Sequence, residues 1–320
     1  MKGGALISQG AYGCVFDNLP KCSKKDNKKI GKVFDDVIIM SEELEQSKII
    51  SKIDPTQKYF IYGSESCTID YKTLEKIEKD VHKCELPIKE LGNNVPILKM
   101  PYGGVEIINY LLKNKCSYKE FLKIIINILN GIKLLNKNNL IHHDIKPNNI
   151  LINKKAKLID FGMTINCNNV YNFYENEYLD SGYWLHPVEY KLYVAISNNG
   201  WKIPYDKLRI ISNNHYKLLF TLDKTINLLD DINEKHLINY AKSMLKLNDE
   251  SKFQKYFQKT SSSKIDIYSM GLTLLTIKKT LYGAFNLPEL DKLIINMTCP
   301  DPRKRFTIAK IIKEIRLIIK

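Results

Sequence analysis

The chain has 320 residues, 44% of them hydrophobic and 26% charged, with a formal net charge of +14. That length and composition suit one large domain or two lobes with a substantial core, and they exclude a chain dominated by disorder. No uncharged apolar run is long enough to span a membrane, and the start, Met1-Lys2-Gly3-Gly4-Ala5, carries no signal-peptide pattern.

In chain order, Leu6 to Phe16 alternates around Gly10 and Gly13 and predicts strand, tight turn, strand. A turn free of side chains lets backbone N–H groups approach phosphate oxygens. Lys21 to Lys29 reads as an exposed basic loop, and Lys28 to Phe34 as a strand. Asp35 to Ile53 has helical spacing, with Ser41-Glu42-Glu43 as an internal cap signal, and Asp54-Pro55 ends it. Tyr59 to Tyr62 reads as a strand. Residues 64–94 are mixed and charged and read as an insertion between strands. Val95 to Met100 is a further strand, broken by Pro101-Tyr102-Gly103-Gly104 at a lobe boundary.

Tyr118 to Asn136 predicts an amphipathic or half-buried helix. Ile150-Leu151-Ile152 and Lys157-Leu158-Ile159 form a small hairpin. Residues 191–262 are Asn-rich at first, then helical from about Thr225 to Phe257. Helices follow over Ile265 to Lys278, Leu287 to Met297 and Phe306 to Ile319. The seven Cys contain no C-x-x-C pair, so zinc and redox motifs are unsupported, and the odd count suggests a reducing compartment. Cys14 reads as a small apolar filler, with a reactive thiol as the alternative.

Two segments carry the chemistry. His142-His143-Asp144-Ile145-Lys146-Pro147-Asn148-Asn149 places an Asp and an Asn five apart on a loop, and Asp160-Phe161-Gly162 follows the hairpin. One carboxylate can serve a hydroxyl nucleophile while the other two groups hold metal on a triphosphate. Phosphoryl transfer needs that division of labour, because its transition state is stabilised mostly by positioning and charge neutralisation.

From Leu6 to Arg305, the ordered motifs resemble a eukaryotic-type protein kinase. Lys146 followed by Pro147 is similar to the Ser/Thr class. The Lys-, Asn- and Ile-rich composition resembles kinases of large DNA viruses, with an AT-rich protist as the alternative source. The resemblance implies an α+β, bilobal fold: a small β-rich lobe at residues 1–100, a hinge at 101–104, and a larger helical lobe at 105–320. An insertion lies at about 191–262, and ATP binds in the cleft. It implies a cytoplasmic monomer, in host cytoplasm or virion if viral, that moves the ATP γ-phosphate to Ser/Thr hydroxyls of a protein substrate. ATP and Mg²⁺, with Mn²⁺ as the alternative ion, are the cofactors implied, and no membrane partner is expected. Only Arg209, Arg303, Arg305 and Arg316 among the 49 basic residues are Arg, so nucleic acid is left open as an accessory partner and is not predicted.

Residue by residue, the resemblance makes Asp144 the catalytic base and brings Lys146 to the transferring phosphate. Lys32 grips the α- and β-phosphates, with Lys28 and Lys29 as competitors. Its helix partner is Glu45, with Glu42 as the alternative. Asn149 and Asp160 hold metal. Ile7, Ser8, Gly10, Gly13, Val15, Lys32, Lys99 and Met100 line the ATP site, with Leu98 as gatekeeper. Pro101 falls where a backbone N–H bonds adenine, and Pro has none. Glu189 and Arg305 match a structural ion pair, and Asp266 matches the helix Asp that braces the loop at His142 and His143. His143 stands where such loops carry the Arg that neutralises an activation-loop phosphate, and a neutral His does so poorly. The expectation is that activity does not require phosphorylation of Thr164, Tyr171, Tyr174 or Ser181. A pseudokinase scaffold and a small-molecule kinase of similar fold are the competing readings.

Overall fold

A computed structural model describes residues 5–10, 12–24, 30–167, 184–197, 200, 206–207, 209–210, 214, 239–240, 242–244, 246–247, 249–281 and 287–320. Lys28, Lys29, Tyr171, Tyr174, Ser181 and most of the expected insertion, with most of its helix, lie outside those residues. The chain divides into two compact units, one of Met1–Gly104 with Lys157–Gly162, the other of Val105–Ala156 with Met163–Lys320.

The first unit is built on a five-stranded antiparallel sheet. Its strands are β1 (Leu6–Gln9), β2 (Gly13–Phe16), β3 (Ile30–Phe34), β4 (Glu65–Ile69) and β5 (Val95–Met100), in the order β1-β2-β3-β5-β4. Strand alternation sorts side chains between two faces. Cys14, Phe16, Val33, Val95 and Ile97 join one buried cluster with Leu74, Val81 and Ile88. Phe34 and Leu98 join another with Met40 of helix α1 (Val37–Ile53). That helix starts at Asp36, whose carboxylate accepts from the Ile38 N–H at 2.7 Å, not at the expected internal cap Ser41-Glu42-Glu43.

Two expectations are corrected here. Tyr59 to Tyr62 is not a sheet strand: Phe60 makes only an isolated bridge to Leu158, and the strand is β4, inside the stretch read as an insertion. That stretch continues as α2 (Tyr71–Ile77) and short 3₁₀ turns at Val81–Lys83 and Ile88–Leu91. These turns supply Val81 and Ile88 to the cluster and so bury one sheet face. The cysteines are not all reduced either. Cys14 bonds Cys84 and Cys22 bonds Cys67, with Cα separations of 6.0 and 5.4 Å, both ordinary for disulfides. Sequence spacing gave no sign of pairs 70 and 45 residues apart.

The second unit is mainly helical. Its N-terminal half holds α3 (Ile107–Lys113) and α4 (Tyr118–Lys137), the latter opened by a capping box of Ser117 and Glu120. Strand β6 (Val105–Glu106) pairs with β8 (Ile150–Ile152), and β7 (Leu140–Ile141) with β10 (Ile165–Asn166); β9 (Ala156–Leu158) follows β8 in the chain. Farther on come α5 (Val188–Ser197), α6 (Glu250–Tyr256), α7 (Ser262–Thr280), α8 (Pro288–Met297) and α9 (Ile308–Ile319). A π-turn at Phe257–Ser261 joins α6 to α7. Helix α7 is buried over most of its length, including Asp266, Ser269 and Thr273. Gly271 permits this: a Cβ there would lie 2.8 Å from Thr298 Cγ2 and 2.9 Å from Met297 Cβ. None of the described helices is long and apolar enough to cross a membrane.

Candidate functional site

In the first unit, Gly10 donates its N–H to the Gly13 carbonyl at 2.9 Å, closing the turn between β1 and β2. Val15 stands opposite Lys32 in the β2–β3 register, and Ser8 opposite Val15. Ile7 falls at an irregularity in the β1–β2 pairing and is exposed. A Cβ at Gly13 would lie 2.9 Å from the Val33 carbonyl oxygen as well as 2.7 Å from Lys32 Cε, so a side chain there would force the backbone to shift. Lys32 Nζ donates to Glu43 Oε2 at 2.6 Å and lies 4.8 Å from the centre of the Phe34 ring.

The partner of Lys32 is therefore Glu43, which corrects the expectation of Glu45 or Glu42. Met40, Glu43, Ser47 and Ile50 recur at helical spacing, and Met40, Ser47 and Ile50 are buried. Glu45 lies on another side of the helix and pairs with Lys48 at the surface. Its carboxyl held away from water, Glu43 has its pKa raised by burial, against the pull of Lys32 and with a further push from the Asp160 charge.

Lys99 also departs from expectation. It pairs with Gly31 and with Glu65, which puts its side chain on the sheet face of Val95 and Ile97 rather than that of Lys32 and Leu98. Its ammonium is fully buried and donates to the Leu19 carbonyl at 2.8 Å, while its own carbonyl accepts from Ser64 N–H at 3.0 Å. Met100, the next residue, lies on the Lys32 face. Asp160 adopts a left-handed φ of 64°, and Phe161 is buried edge-on against Phe60 with ring centroids 5.5 Å apart.

In the second unit, the loop after β7 is fastened from α7. Asp266 accepts from the N–H groups of both His142 and His143, each at 2.9 Å. Thr273 Oγ1 donates to the Ile145 carbonyl at 2.7 Å. Burial raises the Asp266 pKa, with His142 and the two backbone donors opposing the rise. On the loop, Asn149 Nδ2 donates to the Asp144 carbonyl at 2.9 Å and to Asp144 Oδ2 at 2.8 Å. Lys146 Nζ stands 2.8 Å from the same Oδ2. The structure thus brings Asp144, Lys146 and Asn149 together in one cluster.

His143 has φ 71° and is fully buried, its ring stacked on His186 and edge-on to Tyr190. Left-handed φ at a non-glycine residue is costly and concentrates at functional sites, and His143 and Asp160 both show it. Burial, with His186 and His142 nearby, lowers the His143 pKa well below the ordinary imidazole range. Burial, with Lys191 nearby, brings His186 down to about 3. Three residues beyond His186, Glu189 forms a bidentate pair with Arg305, at 2.7 and 3.0 Å, and both side chains are fully buried.

Residues 92–187 match the family model "Protein kinase domain". Over that stretch the chain is similar to eukaryotic-type protein kinases. Calcium-dependent protein kinase 4 of Plasmodium berghei is 37% identical over 70 residues, 20% of this chain and 13% of the relative. Mitogen-activated protein kinase 13 of Arabidopsis thaliana is 29% identical over 171 residues, 51% of this chain and 40% of the relative. The R436 protein of Acanthamoeba polyphaga mimivirus is 29% identical over 116 residues, 31% of this chain and 42% of the relative. The matched stretches therefore span less than half the length of these relatives. The kinase fold is α+β, with the sheet in the N-terminal unit and the helices mainly in the other.

Metal fit follows from donor chemistry. No group of three or more His, Cys, Asp or Glu is placed to hold an ion among the described residues, so a divalent ion would need phosphate ligands as well. With its amide nitrogen committed to Asp144, Asn149 keeps its carbonyl oxygen for a ligand. That oxygen and, in the first unit, the Asp160 carboxylate are each hard donors of the kind Mg²⁺ prefers. Glu43, which pairs with Lys32, was missed from sequence, and its signal was the spacing from Met40 through Ser47 to Ile50.

Proposed function

We propose that this chain transfers the γ-phosphoryl group of ATP to Ser/Thr hydroxyls of protein substrates. The observation that carries the reading is the pair of donors, Lys146 and Asn149, converging on Oδ2 of Asp144. They hold in place a carboxylate suited to take the proton of an incoming hydroxyl. Lys146, a compact point charge beside Asp144, suits an anionic group in transfer. Lys32, oriented by Glu43 in a bed cleared by Gly13, has the charge and rigidity to hold nucleotide phosphates. Asn149 and Asp160 would hold Mg²⁺ or Mn²⁺. When bound, the ion neutralises phosphate charge.

The Ser/Thr assignment rests on Lys146-Pro147. Acid hydrolysis of labelled product tests it: phospho-Ser and phospho-Thr are expected, and phospho-Tyr alone would overturn the class. The scaffold reading draws on one feature, Pro101, which offers no N–H at the adenine position of the resemblance. Fluorescent-nucleotide titration separates the two, since a scaffold without nucleotide binding gives no saturable signal.

A further inference from the structure

All four cysteines of the first unit are paired, and the three free ones, Cys116, Cys167 and Cys299, all lie in the second. Both disulfides also join the same two parts. Cys14 belongs to β2 and Cys22 to the connection after it, whereas Cys67 lies in β4 and Cys84 closes the 3₁₀ turn Val81–Lys83. The stretch from β4 to Leu91 is thereby bound by sulfur at two points, to β2 of the glycine-turn hairpin and to the connection that follows it.

Cys14 is one residue from Gly13, and Gly13 forms the floor under Lys32. Strand alternation sends the Cys14 side chain to the opposite sheet face, into the cluster with Val81, Cys84 and Ile88. Hydrogen bonds from β1 to this covering stretch include those of Gln9 with Glu85, at 3.0 and 3.3 Å, both exposed, and one from the Leu6 backbone to Asp80. Such hydrogen bonds contribute little net stability each; the covering stretch is otherwise held by the packing of Leu74, Val81 and Ile88 with Cys14 and Phe16 and by the β4–β5 pairing, and Cys14–Cys84 adds a covalent tie to β2.

We propose that these two disulfides form a thiol-controlled clamp on the nucleotide-binding unit. With both closed, β2 is fixed and the Gly10–Gly13 turn and Lys32 are held ready for a nucleotide. With them open, the covering stretch loosens, β2 keeps its pairing with β1 and β3 but loses its covalent tie, and nucleotide binds more weakly. The clamp rests on the nucleotide reading of that turn only for its effect on binding. To close each bond, two thiols give up two protons and two electrons. A small-molecule or protein disulfide takes them through a mixed-disulfide intermediate, and its own S–S bond becomes two thiols. A dithiol reverses the reaction. Cys22 and Cys67 are both partly exposed, whereas Cys14 is fully buried. Exchange needs access, so Cys22–Cys67 opens first and Cys14–Cys84 second.

The test uses the full chain treated with oxidised glutathione or with dithiothreitol. Denatured samples are alkylated and weighed, linked peptides are mapped, and native samples are melted and titrated with fluorescent ATP. The oxidised chain is expected to take up three alkyl groups and the reduced chain seven. Reduction should lower the melting temperature and weaken nucleotide binding about fivefold or more, the lower end of ordinary coupling between sites. Cys22→Ser/Cys67→Ser should keep the response to dithiothreitol. Cys14→Ser/Cys84→Ser should bind as the reduced chain does in either buffer. Should that second variant not fold, a dithiothreitol titration of the unmutated chain decides the point, binding falling with loss of the Cys14–Cys84 peptide. Seven alkyl groups after oxidation, different linked peptides, or unchanged melting and binding on reduction would each overturn the clamp. A chain that binds no nucleotide in either state defeats the nucleotide reading, and the alkylation count and melting still decide the clamp itself.

Discussion

The imidazole of His143 lies against that of His186, with ring centroids 4.2 Å apart and planes 19° apart. His143 belongs to the loop of Asp144, and His186 immediately precedes Pro187 and the Glu189–Arg305 pair. Two neutral rings thus fasten the loop to the segment that ends at Glu189, in the place where the resemblance puts a phosphate-binding Arg. Thr164, the one candidate phosphosite among the described residues, is itself buried. Phosphatase-treated protein is therefore expected to keep its transfer rate within about twofold, well inside the range over which ordering by phosphate acts. A large drop on dephosphorylation would contradict this.

The same stack sets a pH dependence. Burial lowers the pKa of both imidazoles, His186 to about 3, whereas in the unfolded chain each titrates near about 6.5. The unfolded state therefore takes up protons first as pH falls. The stabilisation is complete above about 6.5 and is lost progressively toward about 3. His142, Lys191, Asp266 and Glu189 are ionisable side chains nearby, so the histidine share is best isolated by substitution. His186→Phe should flatten the fall in melting temperature between pH 6.5 and 4. An unchanged slope would count against the neutral stack.

Lys32 and Glu43 give a sharper test of the first unit. Glu43→Gln removes the charge that holds the ammonium and should lower the transfer rate about a hundredfold, the scale of a misplaced reacting group. Glu45→Gln touches only Lys48 at the surface and should leave the rate alone. Equal losses in the two variants would undo the assignment.

How much of this was legible in sequence follows from which interactions are local. The β1–β2 turn, β3, β5 and helices α4 and α7 to α9 follow from periodicity and punctuation, which the chain carries residue by residue. The loop from His142 to Asn149 was legible because its residues are contiguous. Glu43 was missed because the apolar triplet Ile49, Ile50 and Ile53 suggested the wrong helix phase: Ile50 is buried, but Ile49 is 42% exposed. Lys99 was misplaced although strand alternation alone puts its side chain on the other sheet face from Leu98. The disulfides were not legible, since partners 70 and 45 residues apart meet only once the sheet forms.

Glu78 supplies a test of the same core. It is 1% exposed, its carboxylate oxygens have no hydrogen-bond partner among the described residues, and burial lifts its pKa to about 7 with help from Asp17 and against Lys99. The folded state thus prefers the protonated acid. Its contribution is full below about 4.5 and is lost as pH rises through about 7. Glu78→Gln should raise the melting temperature at pH 8.5 and leave it nearly unchanged at pH 4. Lower stability at pH 8.5 would contradict the burial of a strained acid.

Arg305 and Glu189 are both fully buried. Removing one partner strands the other charge, so Arg305→Ala should cost about 3–5 kcal/mol in denaturant unfolding. The double change Glu189→Gln/Arg305→Met should cost less than the single one. A loss under about 1 kcal/mol for Arg305→Ala would mean the pair is solvated in solution.

The central claim is phosphoryl transfer through Asp144. The full chain is incubated with γ-labelled ATP, Mg²⁺ or Mn²⁺ and generic protein substrates, beside Asp144→Asn. The expected result is label on protein hydroxyls that falls about a hundredfold to ten-thousandfold in the variant, the usual contribution of a positioned base. Transfer undiminished in Asp144→Asn, or no transfer by the unmutated chain with either metal, would contradict it.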